Sequence, residues 1–191
     1  MNKLLVLLIG KPHCGKSTLA GGLVSHYSKK HKVNILSAKT MLDSMDKESA
    51  LRKEIEMFRT SGQLIPDDIV EEMLENASKK ISGDIVLLDG VLRSVKTAKL
   101  FDGRGPNPLG AQVHLDISDN LSIERSIARG RIDDAFMLKR LVEYEEYTLP
   151  AIRYIRLDKN IKTHDISVTH TSTEEETLFK TTNFLSTEFG I

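Results

Sequence analysis

Eight consecutive residues, Gly10-Lys11-Pro12-His13-Cys14-Gly15-Lys16-Ser17, fit the pattern G-x-x-x-x-G-K-[ST]. A loop of this kind turns successive backbone N–H groups inward, where they and the start of the next helix can bind phosphate oxygens. Lys16 supplies a point charge for the outer phosphates, and the Ser17 hydroxyl is a ligand for Mg²⁺. Thr18 adds a second hydroxyl within reach. His13 and Cys14 stand where a glycine or small residue would serve. Cys14, beside a helix start and Lys16, is either a thiol of lowered pKa or a small side chain that fits. A second group is cationic: Arg93, Arg125, Arg129, Arg131 and Arg140. In-line phosphoryl transfer spreads negative charge over the moving group, so planar guanidinium forks that clamp two oxygens at once are the side chains it needs. On spacing alone, Arg125, Arg129 and Arg131 read better as a solvated basic helix end than as phosphate ligands.

The elements that must hold these groups can be read from the apolar runs. Leu4 to Ile9, Val33 to Leu36, Ile85 to Leu88, Val113 to Ile117 and Ile166 to Thr169 are short continuous runs, as expected of parallel strands covered on both faces. The loop thus follows a strand and opens a helix, the context in which its pattern is meaningful. Asp89 and Arg93 follow the third run, where ligands of open α/β sheets sit. Ile69, Val70, Met73, Leu74 and Ala77 form one helical stripe, with Pro66-Asp67-Asp68 as its first turn. Thr171, Ser172 or Thr173 caps a last helix carrying Glu174 to Glu176 in its first turn. Strands alternating with helices imply a parallel sheet wound by right-handed crossovers. A Gly- and Pro-rich loop is expected at Asp102 to Gly110.

The chain has 191 residues, 40% hydrophobic and 28% charged, enough for one globular domain with a core. Lys+Arg and Asp+Glu are balanced at 27 each, which argues against a binder of nucleic acid polymers but not against a local cationic pocket. The lone Cys14 can form no internal disulfide. The apolar run after Lys3 is too short for a signal peptide, and no segment approaches the roughly 20 apolar residues of a membrane span. A cytoplasmic protein, not associated with membranes, is expected. The guanine-reading tetrapeptide Asn-Lys-x-Asp of switch GTPases does not occur. Asp102-Gly103-Arg104-Gly105 fits D-x-x-G but lies in the Pro/Gly loop.

Beyond the loop, the text resembles the adenylate kinases, within the nucleoside monophosphate kinases. Leu36-Ser37-Ala38-Lys39-Thr40-Met41-Leu42 is similar to that family's I-S-T-G-D-M-L. Ser61-Gly62-Gln63-Leu64-Ile65-Pro66-Asp67-Asp68-Ile69-Val70 is similar to G-x-L-[VI]-P-x-x-[IV], and Leu87-Leu88-Asp89-Gly90-Val91-Leu92-Arg93 to L-x-D-G-[FY]-P-R. Glu124 to Arg129, Arg131 to Asp134 and Lys139 to Tyr144 resemble the arginine-bearing stretch that closes over the phosphates. The resemblance implies a P-loop NTPase three-layer αβα sandwich, with a five-stranded parallel sheet in the order 2-3-1-4-5 and helices on both faces. It implies a single kinase domain over residues 1–191, with an acceptor-binding helical segment at about 39–66 and a vestigial lid at about 126–134.

The resemblance also implies the reaction and its residues: reversible, Mg²⁺-dependent transfer of the ATP γ-phosphate to a nucleoside monophosphate, AMP first. ATP would meet Gly10, Pro12, His13, Cys14, Gly15, Lys16, Ser17, Thr18 and Arg125. The acceptor would meet Ser37, Ala38, Gln63, Ile65, Gly90, Arg93 and Thr97. Lys16, Arg93, Arg125, Arg129, Arg131 and Arg140 would be catalytic, the last two bridging both substrates. Ser17 and, through water, Asp89 would hold Mg²⁺. A monomer is expected. Several positions depart from the family. Asp43 replaces an arginine that grips the acceptor phosphate, Thr40 an aspartate, Val91-Leu92 an aromatic–proline pair, and Thr97 a glutamine that reads adenine. Between Arg125 and Asp133 there is room only for a turn. These departures keep open a kinase of another small acceptor, or a nucleotide-binding module with little catalysis.

Overall fold

The computed structural model describes residues 3–61, 65–78, 82–101, 109–130, 136–158 and 160–191, apart from the side chains of Arg59, Asp67 and Ser78. Five strands form one parallel sheet: β1 (Leu4–Gly10), β2 (Val33–Ser37), β3 (Ile85–Asp89), β4 (Leu109–Ile117) and β5 (Lys162–Val168), in the order β2-β3-β1-β4-β5. This is the 2-3-1-4-5 order that the resemblance implies. The central β1 hydrogen-bonds to β3 on one side and β4 on the other, so the loop leaving its end emerges from the middle of the sheet.

Helices cover both faces. Chain order gives α1 (Lys16–Tyr27), α2 (Ala38–Asp43), α3 (Ala50–Thr60), α4 (Asp67–Ser78), α5 (Val95–Ala98), α6 (Asp119–Arg129), α7 (Met137–Glu143), α8 (Leu149–Arg156) and α9 (Glu174–Phe189). A β-strand sends alternate side chains to opposite faces, and β1 feeds two cores in this way. Leu5, Leu7 and Ile9 join a core with Met41, Leu42, Ile55, Met73, Leu74, Phe101 and Ile152. Val6 and Leu8 join another with Leu19, Leu23, Leu121 and Leu185. The first core is built on α2 to α5 and α8, and the second on α1, α6 and α9.

Strand ends differ from the sequence expectation in two places. β4 begins at Leu109, so the last residues of the anticipated Gly/Pro loop are strand, and residues 102–108 lie outside the described set. β5 runs from Lys162 to Val168, shifted towards the N-terminus from the expected Ile166 to Thr169. It is an edge strand, paired with β4 alone, and its exposed, polar N-terminal half lacks the continuous apolar signal of a central strand. Thr173 is the cap of α9: its hydroxyl accepts from the Glu176 N–H, with Glu174 to Glu176 in the first turn as expected.

Between α7 and α8 the helix passes through a π-turn at Tyr144–Thr148, closed by donation from the Leu149 N–H to the Tyr144 carbonyl. Pro150 gives the cause. It has no N–H to donate back to Glu146, and its ring crowds that carbonyl, so an α-helical ladder cannot run through this point.

Ile55 is fully buried on α3. Ile55→Ala is expected to lower unfolding free energy by about 2–5 kcal/mol, measured by urea titration. A loss under about 1 kcal/mol would mean that α3 is not part of the main core.

Candidate active site

The phosphate loop forms because β1 ends on a glycine. A Cβ at Gly10 would lie 2.3 Å from the Leu115 carbonyl oxygen and 2.9 Å from Cys14 Sγ, and the residue's φ is 153°. His13 also has positive φ, 59°, and Gly15 is the left-handed residue that starts α1. The first turn of α1 has no acidic residue and no side-chain cap, which leaves its N-terminal amides and positive dipole end for an anion. Lys16 folds back over the loop: its Nζ donates to the carbonyls of Gly10 and Lys11 at 2.8 Å, and to Cys14 Sγ at 3.3 Å. The Cys14 thiol is buried under the loop, the environment of a packing side chain.

Other elements brace the loop from outside. From α6, Ser122 Oγ donates to the Pro12 carbonyl at 2.5 Å and Arg125 Nη1 to the His13 carbonyl at 3.3 Å. Lys11 Nζ pairs with Asp119 at 2.7 Å and Glu145 at 3.5 Å. Partial burial alone would lower its pKa, but Asp119 first and then Glu145 outweigh this and raise it. Beside the loop opens a cavity of about 630 Å³, lined among others by His13, Thr18, Arg125, Ser172, Thr173 and Leu178. It lies between α1, the loop and the start of α9.

On the loop's other side stand two hard oxygen donors. Ser17 Oγ donates to Asp89 Oδ2 at 2.7 Å, which brings the start of α1 to the end of β3. No cluster of three or more His, Cys, Asp or Glu suited to a metal occurs among the described residues. A hydroxyl and one carboxylate fit Mg²⁺, which keeps several waters and takes remaining ligands from phosphate.

Just past Asp89, the Gly90 N–H donates to the Leu8 carbonyl at 3.2 Å, and the place of its absent Cβ is 3.6 Å from Lys16 Cε. Arg93 follows, its Nε donating to the Gly90 carbonyl at 2.8 Å. Its guanidinium remains solvent-accessible in the cleft, but crowding by surrounding protein and then the like charge of Arg140 lower its pKa. Glu143 and Asp89 oppose that shift. Arginine stays protonated regardless, so two cations are held close together here.

Next to Arg93 a small apolar cavity of about 30 Å³ lies among Ala38, Met41, Ile65, Met73, Val91 and Thr97. Ser37 caps α2 in a reciprocal box with Thr40, and Ser94 caps α5 in the same way with Thr97. Thr97 is fully buried: its Oγ1 accepts from the Ser94 N–H at 3.1 Å and donates to the Ser94 carbonyl at 3.0 Å. Two of the departures from the family text, Thr40 and Thr97, are therefore helix-capping residues. Asp43 is exposed at the end of α2.

The structure thus gathers Gly10, Pro12, His13, Cys14, Gly15, Lys16, Ser17, Thr18 and Arg125 on one side of the cleft. Ala38, Ile65, Gly90, Arg93 and Thr97 lie on the other, with Arg140 close enough to Arg93 to act on its charge. Ser37 is one residue from that second cavity, as the cap of α2. Arg129 is exposed, the last residue of α6 before the left-handed Gly130. Gln63 and Arg131 lie outside the described residues. The bracing contacts of Ser122 with Pro12, and of Asp119 and Glu145 with Lys11, have no signal in the sequence.

The family model described as adenylate kinase matches residues 8–160. An adenylate kinase of Parasynechococcus marenigrum (strain WH8102) is 34% identical over 187 residues, covering 95% of this chain and 98% of that protein. One of Synechococcus sp. (strain WH7803) is 33% identical over 155 residues, covering 78% of this chain and 82% of that protein. One of Brucella ovis (strain ATCC 25840 / 63/290 / NCTC 10512) is 33% identical over 168 residues, at 78% and 84% coverage. With the match extending from the phosphate loop through Arg93 to the π-turn, the chain belongs to the adenylate kinase family and is an ATP-dependent nucleoside monophosphate kinase.

Proposed function

We propose that the chain transfers the ATP γ-phosphate reversibly to AMP, with Mg²⁺ held by Ser17 and, through water, Asp89. The observation that carries this reading is the placement of Lys16 between two binding regions. Its ammonium lies on the phosphate loop, and its stem approaches Gly90, from which Arg93 is held. ATP would lay its base and ribose in the 630 Å³ cavity and its phosphates along the loop amides, with Arg125 on their outer side. The acceptor phosphate would meet Arg93, with Arg140 nearby, in line with the donor's terminal phosphorus. Such transfer requires no protein nucleophile, and the work lies in alignment and charge stabilisation. Mg²⁺, when bound, would neutralise charge on the donor's outer phosphates. Arg129 and Arg131 complete the proposed cationic set, with Gln63 and Ile65 on the acceptor side. We propose one domain with its acceptor segment at about 39–66 and little lid, acting as a monomer. No helix among the described residues is long and apolar enough to cross a membrane.

The test is ADP release with Mg-ATP and, separately, AMP, GMP, CMP, UMP and dTMP. Turnover is expected with AMP, and Lys16→Ala is expected to lower it by about 10²–10³-fold, the usual loss on removing one transition-state donor. Turnover with another monophosphate and none with AMP would overturn the acceptor assignment.

Because the Thr97 hydroxyl is engaged by Ser94, it cannot also make a two-point contact with a base edge. Thr97→Gln, which brings an amide to that wall, is expected to sharpen selection for AMP over the other monophosphates by about tenfold or more, the scale of one bidentate base contact. Unchanged relative kcat/KM values would show that this wall does not select the base.

Residues 130–136 are all that joins α6 to α7, where a mobile lid would have to be inserted. Lids protect bound donor from water. ATP hydrolysis without acceptor is expected to be a measurable fraction of phosphotransfer, and a negligible rate would show that the acceptor segment alone excludes water.

A further inference from the structure

The π-turn touches both halves of the cleft, and no role in phosphoryl transfer accounts for it. Towards the donor side, the Tyr144 ring lies under Lys11, with Nζ 5.7 Å from its centroid, within cation–π range. Glu145, the next residue, pairs with the same ammonium. Lys11 is itself a member of the phosphate loop, and its carbonyl accepts one of the bonds that hold Lys16. Towards the acceptor side, Thr148 Oγ1 donates to the Arg93 carbonyl at 3.3 Å. Thr148 is nearly buried, and Arg93 has no other bond to its carbonyl among those the described residues show.

The turn is anchored from behind. The Tyr144 hydroxyl is 2.9 Å from His114 Nε2 on β4, and His114 Nδ1 is 2.8 Å from Asp165 on β5. Asp165 takes a second bond from Arg156 of α8, whose Nη2 also lies 3.3 Å from His114 Nδ1. Burial above all, reinforced by Cys14, Asp116 and Glu145 and opposed by Arg156, raises the Tyr144 pKa, so the phenol stays neutral. The ring is thus fixed at both ends, by a buried hydrogen bond to the sheet and by the loop cation over its face.

We propose that Tyr144 and Thr148 are positioning residues that fix the phosphate loop and the Arg93 backbone to one rigid turn, and so set the distance between donor and acceptor phosphates. The five-residue turn matters because an ordinary α-helical turn at this place would rotate Thr148 by roughly 100° for each residue of register lost, away from the Arg93 carbonyl. Neither side chain touches substrate in this arrangement. Each acts through the group it holds, so the two should be separable by substrate. The inference rests on the nucleoside monophosphate kinase activity and not on which base the acceptor carries.

The test uses the full chain and whichever monophosphate gives most turnover with the unaltered protein, so a wrong acceptor assignment shows up before any variant is made. Thr148→Val removes the hydroxyl and keeps the shape. It is expected to raise the acceptor KM about fivefold, the scale of one neutral hydrogen bond, with the ATP KM within twofold of the original. Thr148→Ser should restore it. Tyr144→Leu is expected to raise the ATP KM severalfold while moving the acceptor KM less, and Tyr144→Phe, which keeps the ring face under Lys11, should recover most of that loss. Thermal unfolding of all four variants is measured alongside. The proposal is overturned if Thr148→Val and Tyr144→Leu change both KM values together in proportion to their loss of melting temperature, or change neither.

Discussion

Several positive charges must stand within reach of one another before any phosphate arrives to neutralise them, and the rest of this structure follows from that. The arrangement meets the cost with oxygen atoms that belong to the fold. Lys16 is held by two loop carbonyls, Arg125 by the His13 carbonyl and Arg93 by the Gly90 carbonyl. Arg93 and Arg140 repel each other, and Glu143 and Asp89 partly offset this. On the proposed assignment, a phosphate between Arg93 and Arg140 would offer both a charged acceptor in place of weak neutral ones. The strand order serves the same end. Parallel strands put the loop, Asp89 and Gly90 at one end of the sheet, and placing β1 beside β3 makes them neighbours there.

The sequence disclosed the donor side because its chemistry is local. A loop of eight residues carries its own glycines, cation and hydroxyl, and Gly10 is required there by a contact with Leu115 that any side chain would violate. The sheet was legible for a similar reason: central strands buried on both faces are continuous apolar runs, and the departures are an earlier start of β4 and a shift of the polar edge strand β5. What could not be read was long-range. Tyr144 meets His114 across 30 residues and Thr148 meets Arg93 across 55, and nothing in spacing reports such pairs.

The departures at Thr40 and Thr97 show how a family comparison can mislead when it is read one position at a time. Each falls three residues after a serine, in Ser37-Ala38-Lys39-Thr40 and Ser94-Val95-Lys96-Thr97. In both the pair closes a reciprocal cap on a helix that begins beside the acceptor cavity. A residue that departs from the family text is, in the fold, part of a cap that starts a helix. The local polar groups are used to fix backbone, and the apolar side chains of Met41, Ile65, Met73 and Val91 are left to form the cavity wall.

The central position of β1 also sets where the molecule can loosen. Its amides are sandwiched between two hydrogen-bonded neighbours and feed both cores, so they exchange with solvent only when the whole domain opens. Helices α2 and α3 are joined to the sheet from one face only, through Met41, Leu42 and Ile55. On the proposed assignment, the nucleotide donor would sit on the part of the sheet that opens last, and the acceptor against helices packed on one face of it.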